Sequence, residues 1–244
     1  MKKITILVSL IVFTGITVIV PLLGTKVKTC YAQVLLERVK IDKKIILKHL
    51  AKIKDESRYK GDNKLDDRLQ DFWALPQWDL SETYSEIAET LADIIENETD
   101  DIVRALAAEM FRVLSDYRDS LDIKVIQTLE KALNDEAAKV KLEAAGALIR
   151  LNSYKENMAY SVLEDFVRGK DIEKWNAEAT KPRDWPELYN EENAKRGYRI
   201  TAIKHIAFVN TPETKALLVE MTKDSNESIR KWALKALKDH FIKK

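Results

Sequence analysis

Past an uncharged, mostly apolar run near its start, the chain settles into one pattern: apolar residues three and four apart, with charged residues between them. That spacing winds apolar positions onto one stripe of a helix. Val34, Leu35, Val39, Ile46, Leu47, Leu50 and Ile53 fall mostly at such intervals and predict an amphipathic first helix. Asp55 to Asn63 contains Gly61 and reads as a loop, and a short helix is predicted near Lys64–Ala74. The aromatic connector Phe72-Trp73-Ala74-Leu75-Pro76-Gln77-Trp78 ends that helix at Pro76. Ser81 is the expected N-cap before Glu82, and from there to Lys244 one helical pattern follows another. The fold class is therefore all-α.

The helical patterns repeat. Val140-Lys141-x-x-Ala144-x-x-Ala147-Leu148 matches Ile229-Arg230-x-x-Ala233-x-x-Ala236-Leu237 and Val103-Arg104-x-x-Ala107-x-x-Met110-Phe111. A weaker copy is Tyr198-Arg199-x-x-Ala202-x-x-His205-Ile206, with Tyr198 and His205 at normally aliphatic and small positions. Alanine between the larger residues of the stripe lets a neighbouring helix approach closely. An acid stands six residues before the base in three copies: Glu98/Arg104, Asp135/Lys141 and Asp224/Arg230. Asn193 precedes Arg199 at the same distance. Further upstream, Ala92 and Ile95, Leu129 and Ala132, and Leu218 and Met221 form the inner stripe of a preceding helix. Each unit is predicted to be helix, short Asx-containing turn, helix.

This pattern resembles the HEAT-like repeats, including the short repeats of phycobilin-lyase-type proteins, over Ser81–Lys244, about two-thirds of the chain. The resemblance implies an α-solenoid of about four helix pairs, with residues 33–80 as an N-terminal helical cap and connector. It also implies that turn acid and early base bond within and between units. Arg104, Asp135, Lys141, Arg199, Asp224 and Arg230 would then be structural repeat positions.

The copies are unevenly spaced. Val103 to Val140 is 37 residues, Val140 to Tyr198 is 58, and Tyr198 to Ile229 is 31. The middle interval is too long for repeat periods of about 30–45 residues. Its surplus, 169–196, contains Trp175, Pro182, Trp185, Pro186 and Tyr189. Insertions into repeat arrays map to loops on one face, and that face is often the one that binds. Trp175, Trp185 and Tyr189 are candidate partner-binding residues; the competing reading is that their rings cover a gap between the second and third repeats.

Composition agrees with a helical chain, since 6 Gly and 5 Pro in 244 residues are too few for a many-turned β-fold. Lys2 and Lys3 precede the uncharged run Ile4–Leu23, and Cys30 and Ala32 fit the small positions before a signal-peptidase cut at Gln33. Residues 1–32 are read as a signal peptide and the mature protein as extracytoplasmic: periplasmic, in the cell envelope, or secreted. The competing reading is an uncleaved membrane anchor through residues 4–23. Cleavage removes four lysines, no acid and the lone cysteine, taking the formal charge from +1 to −3. A neutral-to-acidic chain gives no electrostatic footprint for nucleic acid.

Arg38–Lys60 carries nine basic residues against three acids. It reads either as a basic helix on anionic lipid or as a solvated face whose lysines meet acids elsewhere in the fold. His49, His205 and His240 have no partner at metal-ligand spacing. Asp62-Asn63-Lys64-Leu65-Asp66-Asp67 lacks the glycine and terminal glutamate of a calcium loop. No Gly-rich phosphate loop or nucleophile elbow is present. His205 is read as a packed histidine or as an acid/base beside the insertion. The expectation is a non-catalytic scaffold without cofactor or metal, its partner another protein. The alternatives are a HEAT-fold enzyme resembling a bilin lyase or a DNA glycosylase, and a membrane-surface adaptor using residues 38–60.

Overall fold

Capping chemistry sets where the helices start. A computed structural model describes residues 41–55, 64–115, 122–152, 156–170 and 191–242; side chains of residues 64–66, 77, 156, 157 and 191 lie outside that description. Contacts divide the chain into Met1–Lys40 with Gln77–Asp79, and Ile41–Pro76 with Leu80–Lys244. The helices described below belong to the second unit.

The described residues form ten α-helices: α1 Lys43–Lys54, α2 Lys64–Ala74, α3 Tyr84–Asn97, α4 Asp101–Leu114, α5 Ile123–Ala132, α6 Ala138–Arg150, α7 Glu156–Arg168, α8 Glu191–Ile206, α9 Pro212–Met221 and α10 Glu227–His240. A single 3-10 turn, Leu75–Gln77, follows α2. No helix among the described residues is long and apolar enough to cross a membrane.

Asx side chains supply four of the starts. Asp42, Asp122 and Asn226 accept from the amides two residues on, and Asp100 accepts from those of Ile102 and Val103. Thr211 caps α9, with Pro212 at its first position, where a missing N–H costs nothing. Helix α3 departs from the expectation. It begins at Tyr84 behind Thr83, not behind Ser81, and the buried Thr83 hydroxyl donates to the Leu80 carbonyl instead of capping. Leu80 is fully buried, and anchoring it delays the helix.

Helix ends are also legible. Gly169, at φ 72°, closes α7, with its own amide on Phe166 and that of Lys170 on Asp165. A left-handed residue after the last turn ends a helix in this way, and glycine adopts that conformation without strain.

Packing follows the order of the chain. The even-numbered helices lie one on the next, α2 on α4, α4 on α6, α6 on α8 and α8 on α10. Among the odd-numbered ones, α1 lies on α3 and α3 on α5. Each odd helix also packs on the even helix that follows it. The most extensive packing is that of α4 on α6, where Ala105, Ala107, Ala108, Ala144, Ala145 and Ala147 are all essentially buried. Small side chains let the two backbones approach, and α6 is surrounded so fully that Leu142 through Ile149 are all buried. Phe72, Phe111, Ile87, Leu91, Leu129 and Leu148 fill the interior.

Candidate functional site

Arginines near the starts of the even-numbered helices build a ladder across the turns. In the first turn of α4, Arg104 Nη1 donates to the carbonyls of Glu98 and Thr99, both at 3.0 Å, and so closes its own turn. Its Nε and Nη2 then fork onto Asp135, at 3.1 and 3.0 Å, in the turn before α6. Asp135 Oδ1 also accepts from the Ala137 amide at 2.8 Å and orders that turn. Burial opposes the charge on Arg104, yet the Asp135 carboxylate outweighs it and raises the pKa above the ordinary arginine value.

The same device recurs. Arg199 Nε donates to the Val167 carbonyl at 2.9 Å and Nη2 to Asp224, whose other oxygen takes the Asn226 amide at 2.8 Å. Arg230 Nη1 closes the last turn on the Asp224 and Ser225 carbonyls, at 2.8 and 2.7 Å. Arg68 in α2 does both jobs, with Nε on the Ile53 carbonyl at 2.9 Å and Nη2 on Glu98. Burial raises the pKa of Glu98. The Asp100 amide and the Arg68 guanidinium together overcome that and hold it below the usual carboxylate value. Asp224 is likewise held low against its burial, by Arg199 first and then by the Asn226 amide. Lys141 stands at the same position in α6 and has no ion pair or side-chain hydrogen bond among the described residues.

Arg68 is the rung that sequence reasoning missed. It stands six residues after Asp62, the acid-to-base spacing of the other copies, and that interval was the available signal. Asn193, expected in the turn ahead of the helix that bears Arg199, does not stand in that turn. It lies inside α8, and the carbonyl that Arg199 takes belongs to Val167, 32 residues back. The extra residues therefore enter between α7 and α8, at the turn of one helix pair. The base is three residues into α4, α6 and α10 but eight residues into α8. Helix α8 thus overhangs the ladder by five residues, roughly 7–8 Å at 1.5 Å per residue. On this overhang Asn193, Ala194, Lys195 and Arg196 are half-buried and Glu192 and Gly197 exposed. Trp175, Trp185 and Tyr189 lie outside the described residues, as do the leader, residues 38–40 and 56–60, and Asp62-Asn63.

A second cluster lies where α6 meets α8. His205 Nε2 sits 3.2 Å from Glu143 Oε2, and both residues are buried. The imidazole lies flat on Gly146, where a Cβ would stand 2.6 Å from the ring atoms. Just past the end of α8, the Arg150 guanidinium lies 4.0 Å above the Phe208 ring, and His240 of α10 meets the same ring edge-on at 4.8 Å. Lys204 caps the face of Trp232 at 4.2 Å. These groups bolt three successive even helices together. The Glu143–His205 pair is an acid and a base in contact, enclosed by helices.

The basic α1 is largely answered from within. Lys43 meets Glu86 at 2.6 Å, Lys52 meets Asp71 at 2.6 Å and Lys54 meets Asp93 at 2.7 Å, tying α1 to α2 and α3. Lys44 and Lys48 are exposed on either side of Ile45, which is 56% exposed. Among the described residues no three His, Cys, Asp or Glu side chains are grouped to hold a metal ion. Compared with protein-family models, curated proteins and solved structures, the chain matches none.

Proposed function

We propose that this protein is an exported scaffold for protein–protein interaction, an α-solenoid of about four HEAT-like helix pairs behind an N-terminal cap. The observation that carries this reading is the ladder of Arg68–Glu98, Arg104–Asp135 and Arg199–Asp224, in which one arginine closes its own turn and grips the next. Each helix pair packs within itself and, through its even helix, against the next, so the pairs depend on one another for stability. Binding is passive. The partner-binding surface is the 169–196 insertion, with Trp175, Trp185 and Tyr189 as its anchors. Large rigid rings serve at interfaces because they bury much area for little lost side-chain entropy. The pairing of Lys43, Lys52 and Lys54 with acids of the fold supports a protein partner over a lipid surface for the basic segment.

The test is affinity capture by residues 33–244 from the native cell envelope, in parallel with a Trp175→Ala/Trp185→Ala variant of matched thermal stability. A partner recovered by the parent and lost at least tenfold by the variant supports the reading. Equal recovery by both removes it. Sequencing the native N-terminus tests export by cleavage: Gln33 at the start agrees, and retained Met1 contradicts it.

A further inference from the structure

The last helix pair carries two features that the α3–α4 and α7–α8 pairs conceal. The position five residues beyond the apolar starter is Ala108 in α4, Ala145 in α6 and Ile203 in α8, all 0% exposed under neighbouring helices. In α10 the same position is Leu234, larger than either alanine and 56% exposed. Val219 on α9 and Ile242 after α10 are exposed too, at 44% and 65%. The second feature is Arg230. Like Arg104 it closes its own turn through Nη1. Arg104 also forks Nε and Nη2 onto the next turn's carboxylate, whereas among the described residues no carboxylate is bonded to Arg230 Nε or Nη2. The Asp224 side chain is taken by Arg199, and Glu227 pairs with Lys231 at 2.7 Å.

We infer that the exposed end of the α9–α10 pair is a docking surface for an acidic helical segment of another protein, its carboxylate on Arg230 and its apolar face on Leu234. Charge selects this occupant. Arg230, Leu234 and Lys238 lie at successive four-residue steps on one stripe, flanked by Lys231, with Glu227 the one acid of that face among the described residues. A fork fits a carboxylate through two parallel hydrogen bonds, a geometry the molecule already uses at Arg104. The same charges oppose a second copy. Antiparallel twofold packing of α10 about Leu234 sets Arg230 against Lys238 of the other chain, like charges in contact. The inference rests on the repeat register, and it does not involve the insertion.

The experiment places p-benzoylphenylalanine at position 234 of the full chain, irradiates the producing cells, and maps the adducts by mass spectrometry. The expected adduct is to a helical segment bearing an Asp or Glu. Its yield falls at least tenfold with Arg230→Glu, and a basic residue in place of the partner's acid restores it. In a second arm, position 230 stays intact and the photoprobe moves to position 238. Leu234→Glu, which leaves the turn untouched, removes that adduct too and decides the matter should Arg230→Glu fail to fold. Absence of an adduct, an adduct to lipid or to a second copy of this chain, or a yield indifferent to both substitutions overturns the inference. Trp175→Ala/Trp185→Ala leaves the yield unchanged, so this surface and the insertion fail separately.

Discussion

One arginine can serve two turns because its guanidinium is a planar fork with five donors, which a lysine ammonium cannot imitate. Arg104 spends one nitrogen on the carbonyls of its own turn and two on Asp135, with both side chains mostly buried. Arg104→Met strands Asp135 and two carbonyls, and should cost about 3 kcal/mol in urea denaturation. Arg104→Lys should recover less than half of that. Gly146 poses the opposite problem, since it is needed for what lies against it. Gly146→Ala drives a methyl into the His205 ring and should destabilise by about 1–3 kcal/mol. The same change in a His205→Ala background should cost little, because the obstructing ring is gone. Gly197 meets nothing within 4 Å, and Gly197→Ala should raise stability by about 0.5–1 kcal/mol through helix propensity alone.

At the scale of elements, the acids that join one helix pair to the next set the acid limit of the fold. Glu98 and Asp224 have folded pKa values below their ordinary ones. Their stabilisation is complete above the unfolded values, near about 4, and is lost as pH falls through the folded values. Melting temperature should therefore drop steeply below about pH 4. The double variant Glu98→Gln/Asp224→Asn should start lower at pH 7 and vary less across that window. Much of this layer was readable from periodicity. The expected helix near Lys64–Ala74 has those limits in the structure, because apolar spacing and Pro76 act locally. The misplaced features have non-local causes. Thr83 replaces Ser81 at the head of α3 because Leu80 is buried by the fold. Asn193 misled because an insertion broke the spacing between acid and base, and the true carbonyl partner is distant in sequence. The His205–Glu143 contact spans 62 residues and has no local pattern to announce it.

For the whole molecule, the proposal is that the stack is continuous, with no helix pair stable apart from its neighbours. Helix α6 sits at its centre, in contact with α4, α5, α7 and α8, and Ala144 is fully buried there. Ala144→Glu places a charge where no partner waits, a change expected to cost more than about 4 kcal/mol. In an array bound by nearest-neighbour interfaces, that loss passes to the pairs on either side. The direct measurement is native-state hydrogen exchange of the parent and Ala144→Glu proteins, resolved by helix. The account predicts that protection falls together in α4, α5, α6, α7 and α8. Loss confined to α6, or protection unchanged throughout, would contradict it.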